Sequence, residues 1–378
     1  MGQKLSKPDT MRVKPLIINW VNPRPGLSGG IKSNRLIAEA MVRRGHVVNI
    51  LYIDGPPKVP RWWRLRSFYK YFKHQRMTIN KEQHHLESST ANLIAVKHAK
   101  PIVAEDAPDS DVTIATWWET ANWIKDWPDS KGMKAYFIRH HELHGGDEDL
   151  VKLTYRLPFK KLVIANWLKT LMAENYDDYE AALIPNGVDR HQFNFQPRSK
   201  QLVPTVGLLY GPVKWKGAET AFKSLKLVQE IIPSLRVICF GSCAINAHHN
   251  LPKNFNFFLR PSQDLIPKLY KQTDCWLMPS TSEGFGMPGL EAAACGCPIV
   301  STLCGGPEDY VKNGHNGFLV PVGNIEKIAE AILRIVNLAD EQWVAMSEAS
   351  AEYSKKFDWD ISAKKLEDAI LEEIDEYR

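Results

Sequence analysis

The chain has 378 residues, 44% of them hydrophobic and 24% charged, with a formal net charge of +5. This is the composition of an ordinary soluble globular protein, not a disordered or fibrous one, and the length exceeds what one compact core usually takes, so two domains are expected. No run approaches the roughly 20 apolar residues of a membrane-spanning helix.

Residues 1–10 read as a flexible N-terminus. Their start, Met1-Gly2-Gln3-Lys4-Leu5-Ser6, lacks the apolar centre of a secretory signal. It does fit the short pattern for N-myristoylation at Gly2, with Lys4 and Lys7 nearby. The apolar run at 15–20 then reads as a buried strand, followed by a loop containing Gly26, Gly29 and Gly30 and a helix over 31–44. Gly45-His46 ends that helix, and 47–52 is a second strand.

Residues 55–81 contain no Asp or Glu. Arg61, Arg64, Arg66, Lys70, Lys73 and Arg76 interleave there with Trp62, Trp63, Phe68, Tyr69, Tyr71 and Phe72. On a helix Leu65, Phe68, Tyr69 and Phe72 share one face, while Arg66, Lys70 and Lys73 lie on another. That pattern suits peripheral contact with an anionic membrane through residues 61–76; a surface helix packed on its own domain is the alternative reading. Nucleic acid is not expected as a partner, because no recognised binding motif accompanies the patch.

Short β-rich runs follow at 92–96, 111–115, 135–138 and 161–165, each leading into a polar or helical segment. This is the rhythm of a doubly wound parallel sheet. The rhythm breaks near Pro185-Asn186-Gly187-Val188-Asp189, and polar residues 190–200 resemble a linker. It restarts with a strand at 205–209, a helix over 218–231 and a strand at 235–240. The predicted architecture is α/β: a domain at 11–190, a second at 200–358, and a cleft between them at the carboxyl ends of the strands. A final helix, 359–378, carries Leu366, Ile370 and Ile374 on one stripe and is expected to pack back on the first domain.

The six cysteines, Cys239, Cys243, Cys275, Cys295, Cys297 and Cys304, mostly lie in apolar runs and read as buried reduced thiols, which points to the cytosol. Cys295-Gly296-Cys297 has one intervening residue, too few for a C-x-x-C metal or redox site.

The densest motif is Glu283-Gly284-Phe285-Gly286-Met287-Pro288-Gly289-Leu290-Glu291. It places two carboxylates eight positions apart around a Gly- and Pro-rich turn, after the apolar run 275–279 and before a helix-like run at 291–295. A strand, a glycine loop and a helix start together hold anions with backbone N–H groups. The stretch 282–301, with Gly305-Gly306-Pro307-Glu308-Asp309, Asn313-Gly314 and Asn316-Gly317-Phe318, resembles the signature of the retaining GT-B glycosyltransferases of family 4, the glycosyl transferases group 1. Pro185-Asn186-Gly187-Val188-Asp189 is similar to that family's interdomain element, the stretch from Val206 to Gly217 to its phosphate-binding segment, and Gly29-Gly30 to its N-terminal glycine loop. The resemblance covers nearly the whole chain in order. It implies a GT-B fold of two doubly wound Rossmann-like domains facing across a deep cleft, the first binding acceptor and the second a sugar nucleotide.

The resemblance implies roles residue by residue. Glu283 binds donor-sugar hydroxyls, Glu291 the ribose, and Lys216 with the N–H groups around Gly284, Phe285, Gly286 and Met287 the diphosphate. Gly29, Gly30 and Gly211 belong to phosphate-facing loops. His141, with His140 as runner-up, takes the place of a histidine beside the donor sugar. The family usually carries an Arg where Tyr210 stands when counting back from Lys216, or Leu208 when anchoring on Val206-Gly207, and neither is basic; Lys214 or Arg139 is a candidate to compensate. His140, His141 and His144 lack a recognised zinc spacing, and no metal is expected. Trp117, Trp118, Trp123 and Trp127 suit either core packing or an acceptor sugar ring.

The implied activity is transfer of a hexose-type sugar, with retention, from a UDP- or GDP-sugar to a hydroxyl of a glycan or lipid-linked acceptor. No cofactor held by the protein is expected, and the location is the cytoplasm, at or near the inner face of a membrane. The alternatives are a catalytically silent sugar-nucleotide-binding subunit and a GT-B epimerase.

Overall fold

The computed structural model describes residues 14–55 and 84–377. The basic aromatic stretch at 61–76 and the Gly2 pattern lie outside the described residues.

Among the described residues the strands form two sheets. The first comprises β1 (Ile17–Asn22), β2 (Val47–Ile53), β3 (Asn92–Val96), β4 (Val112–Ala115), β5 (Met133–Ile138), β6 (Lys160–Val163) and β7 (Ala182–Leu183), in the order β3-β2-β1-β4-β5-β6-β7. The second comprises β8 (Thr205–Tyr210), β9 (Arg236–Gly241), β10 (Phe255–Leu259), β11 (Cys275–Met278), β12 (Ile299–Thr302) and β13 (Gly317–Val320), in the order β10-β9-β8-β11-β12-β13. Every pairing within both sheets is parallel. Parallel strands are covered on both faces, which is why they read as continuous apolar runs: Ile18, Trp20, Val21, Ile50 and Leu51 are all inaccessible.

Each sheet reverses direction beside its first strand, between β1 and β4 and between β8 and β11. A crevice opens outside the carboxyl ends of the strands at such a switch point. The loops after β1, β4 and β5 therefore face those after β8, β11 and β12, and the candidate residues sit on these loops, at the end of β8 or in the first turns of the helices that follow.

The two halves share one apolar cluster. It runs from Ile18 and Trp20 through Ile184 and Phe193 to Tyr270, Trp276, Phe285 and Leu290. The chain crosses between the halves twice, and the crossings touch: the Val188 N–H donates to the Phe357 carbonyl at 3.1 Å. The helix Trp359–Tyr377 then lies on the first half. Ala363, Leu366, Ile370 and Ile374 enter its core, Arg43 meets Asp360 at 2.6 Å, and buried Glu367 pairs with Arg44 and with His46, the latter at 2.8 Å.

Two helices begin earlier than the sequence suggests. The helix Gly29–Arg43 starts ahead of residue 31 because the Ser28 hydroxyl caps it, accepting from the Ile31 N–H. The helix Met287–Ala294 starts four residues before Glu291, because Gly286 takes a left-handed conformation (φ 78°) and Pro288 suits a first turn. Glu291 therefore lies in the second turn rather than at the helix start.

Candidate functional site

The loop after β11 carries the first carboxylate. Glu283 is buried, and its Oε1 accepts from the Lys216 ammonium at 2.6 Å and the Ser280 hydroxyl at 2.7 Å. Its backbone is fixed as well: the Glu283 N–H donates to the Cys304 carbonyl at 2.7 Å, and the Gly306 N–H donates to the Glu283 carbonyl at 3.1 Å. Lys216 arrives from the loop after β8, its stem lying against Gly211. Lys214, on the same short turn, is exposed to solvent.

Beyond Glu283 the chain runs through Gly284 and Phe285 into the helix Met287–Ala294, where Pro288 has no N–H and the Gly289 N–H donates to the Gly286 carbonyl at 2.9 Å, leaving the Met287 N–H at the helix start. The positive end of the helix dipole and the Lys216 ammonium thus lie on one wall, an arrangement suited to an anion. The Phe285 ring is core, packed on Tyr310 and Phe357, so only its backbone faces the loop. Gly284 is a point of contact between the halves. A Cβ there would stand 2.0 Å from the Arg139 carbonyl oxygen, and the Gly284 carbonyl accepts from the Trp167 indole N–H at 2.9 Å.

Glu291 is bridged across the cleft. Its Oε1 meets the Lys32 ammonium, from the helix Gly29–Arg43, at 2.8 Å, and its Oε2 accepts from the Tyr270 hydroxyl at 3.1 Å. Gly29 and Gly30 open the Lys32 helix, and Gly30 lines the cleft.

The two histidines diverge. His140 lies against the second half: its Nε2 is 3.1 Å from the Ser282 hydroxyl, beside Glu283, and its ring meets Trp167 edge-on. His141 turns into its own domain, with Nε2 2.8 Å from the Tyr176 hydroxyl and its ring against Tyr155. Burial pulls both imidazoles below the usual histidine range, so they are neutral bases near pH 7. Tyr210 is likewise turned away from Lys216. Its ring packs edge-on against Phe257 and His249, and its hydroxyl accepts from the Asn246 N–H at 3.1 Å. The place where the family usually holds an Arg is therefore filled by core.

A cavity of about 260 Å³ adjoins His140, lined on the first half by residues including Ser28, Asn34, Trp117, Arg139, Glu142 and His144, and on the second by Trp215. Arg139 is buried. Its guanidinium donates to Asn34, to Ser33 at 2.9 Å and to Asn186 at 3.0 Å, so it is committed to the first half. Glu142 is fully buried; its Oε2 accepts from the Trp118 N–H and the Tyr136 hydroxyl, each at 2.7 Å, and burial pushes its carboxyl up to about 8. Trp127 is core, whereas Trp117 stands at the cavity with its ring edge-on to His144.

Residues 191–356 match the family model of glycosyl transferases group 1. That match lies within the C-terminal half. A D-inositol 3-phosphate glycosyltransferase of Corynebacterium aurimucosum is 30% identical over 185 residues, covering 45% of this chain and 43% of the relative. An uncharacterized glycosyltransferase of Methanocaldococcus jannaschii is 27% identical over 239 residues, covering 58% of this chain and 64% of the relative. The chain thus spans 43% of the length of the first of these curated relatives and 64% of the second. Anabaena HepE, solved with UDP and glucose, superposes with a TM-score of 0.71 at 15% identity, over 94% of this chain and 100% of that one. The fold is GT-B, and the names of the relatives are those of transferase enzymes.

In this GT-B fold several residues that complete the cleft escape sequence reasoning. Lys32, Trp167 and Ser280 each touch the signature loop or helix, yet none sits in a recognisable pattern. The Glu142 carboxyl carried a weak signal as an acid beside the histidine cluster.

Proposed function

We propose that the protein is a retaining glycosyltransferase that moves a hexose-type sugar from a nucleoside diphosphate sugar to the hydroxyl of a glycan or lipid-linked acceptor. The observation that carries this reading is the wall formed by Glu283, Lys216 and the start of the helix Met287–Ala294, facing His140 across the cleft. Lys216 and the backbone N–H groups of Phe285, Gly286 and Met287 take up the charge that develops on the departing diphosphate. Glu283 accepts from donor-sugar hydroxyls, Glu291 from the ribose, and neutral His140 accepts from a hydroxyl of the donor or acceptor. The Glu283 carboxylate is tied to Lys216 and Ser280, which suits a positioning acid better than a covalent nucleophile. The reaction is accordingly read as front-face displacement, a phosphate oxygen of the leaving group taking the acceptor proton. UDP-sugars come first among donors, because HepE holds UDP; GDP-sugars come second. A cytoplasmic location with peripheral contact to anionic membrane through residues 61–76 belongs to the same reading.

A second reading, a silent sugar-nucleotide-binding subunit, draws on the core position of Tyr210, which leaves Lys216 as the near cation on this wall. Nucleotide release from UDP- and GDP-hexoses, with and without acceptor, separates the two. The transferase reading expects release, falling about 10²–10³-fold in Lys216→Met and little in Lys214→Met. Donor binding without hydrolysis or transfer overturns it in favour of the silent subunit.

A further inference from the structure

Glu291 is the carboxylate to which the transferase reading gives the ribose, and both of its oxygens are engaged within the protein. Oε1 lies 2.8 Å from the Lys32 ammonium, brought by the helix Gly29–Arg43 of the first half, and Oε2 accepts from the Tyr270 hydroxyl at 3.1 Å. Two rings close the surroundings. The Lys32 ammonium stands 5.0 Å over the Phe193 ring, and that ring tilts against Tyr270 with centres 5.9 Å apart. The Glu291 side chain is left 9% exposed.

The two partners of Glu291 are not held equally. Tyr270 is inaccessible, belongs to the same half as Glu291, and packs edge-on against Trp276 with ring centres 4.6 Å apart. Lys32 comes from the opposite half on a flexible four-carbon stem. A carboxylate takes the two adjacent hydroxyls of a ribose by turning both oxygens toward them. With the Tyr270 hydroxyl fixed, the ammonium is the group that has to yield.

We propose that Lys32 gates the nucleotide site: it competes with the ribose of a nucleoside diphosphate for Glu291, so nucleotide entry breaks the bridge between the halves and re-forming the bridge favours nucleotide release. This regulation rests on the reading of Glu291 as the ribose acid and deepens it. The coupling is reciprocal. A ligand that must break the pair binds more weakly by the factor that the pair contributes, and it loosens the halves by the same factor, about 5–150-fold for typical couplings. The sign is opposite to simple electrostatics, in which removing a nearby cation weakens the binding of a diphosphate.

Calorimetric titration of the full chain with UDP, GDP and their 2′,3′-dideoxy analogues tests the gate. Lys32→Met is expected to bind UDP or GDP at least about fivefold more tightly than the wild type. The gain is expected to be absent for the dideoxy analogues, and absent again when Glu291→Gln is added. Lys32→Gln, uncharged but able to donate to Glu291, is expected to move affinity in the same direction and serves where Lys32→Met does not fold. Unchanged nucleotide affinity overturns the gate. Weaker binding in Lys32→Met overturns it in favour of Lys32 as a phosphate ligand, and a gain shared by the dideoxy analogues overturns the competition with ribose. Binding of neither UDP nor GDP to any of these proteins overturns the nucleotide reading and the gate with it, whereas binding that ignores Lys32 removes the gate alone, so the two failures are distinguishable.

Discussion

The pair Lys32–Glu291 joins the two halves directly, and its strength follows from its setting. The ammonium and carboxylate are 2.8 Å apart, with side chains 14% and 9% exposed. At an effective dielectric of about 20, that separation gives a gross attraction of about 6 kcal/mol. Burying each ion costs several kcal/mol, which offsets most of it. The Tyr270 hydroxyl continues to hold Glu291 when Lys32 is removed. A net coupling of about 1–3 kcal/mol remains, the range of a charged, partly buried hydrogen bond. Lys32→Met, Glu291→Gln and the double variant form a cycle, read by urea unfolding followed by tryptophan fluorescence. Because the apolar cluster is continuous across both halves, loosening of the interface reports in the main transition. Lys32→Met is expected to cost more than the double variant relative to Glu291→Gln, since it leaves a buried carboxylate with one neutral partner. Added salt is expected to change the coupling little, as the pair is shielded from solvent. Single-variant costs that add to within about 0.5 kcal/mol would refute the reasoning.

Glu142 predicts a pH effect on stability. Its folded carboxyl titrates at about 8, against 4.5 for the unperturbed group. The folded state keeps a proton that the unfolded chain releases across that window, so this contribution is full below about pH 4.5 and is lost as pH rises through about 8. At about 1.4 kcal/mol per pH unit the loss reaches at most about 5 kcal/mol. Denaturation curves of Glu142→Gln between pH 5 and 8 should be flatter than those of the wild type; parallel curves contradict the burial argument. For the histidines, His140→Ala is expected to lower transfer by about 10²-fold, and His141→Ala to lower the melting temperature more than the turnover, because it loses a bond to Tyr176. The reverse order in activity assays rules out the assignment to His140. Gly284→Ala forces a Cβ to 2.0 Å from the Arg139 carbonyl. It is expected to destabilise by about 1–3 kcal/mol through overpacking, visible as a lower melting temperature, and an unchanged melting temperature contradicts the close approach.

What the sequence shows and what it hides divides along the two walls of the cleft. The second wall is built from consecutive chain: β11, the turn from Pro279 to Gly286 and the helix after it carry Glu283, the anion-facing N–H groups and Glu291 within one short stretch. Glycine and proline impose that backbone locally, so the pattern is legible without knowing what packs on it. The helix 218–231 was legible for the same reason, its apolar spacing setting both ends. The first wall is assembled instead from three separate segments, those after β1, β4 and β5. Nothing in the spacing of Asn34, Trp117 and Glu142 reveals that they converge. The choice between His140 and His141 fails locally too. Alternation along β5 ends at Ile138, and past the strand the ring directions depend on Tyr155, Tyr176 and Ser282, which lie far apart in the chain. Tyr210 shows the converse: counting places it at the family's basic position, but its ring packs on β10 and the loop after β9, where Phe257 and His249 receive it. A wall set by local backbone keeps its signature in sequence, whereas a wall set by tertiary convergence is free to vary one loop at a time.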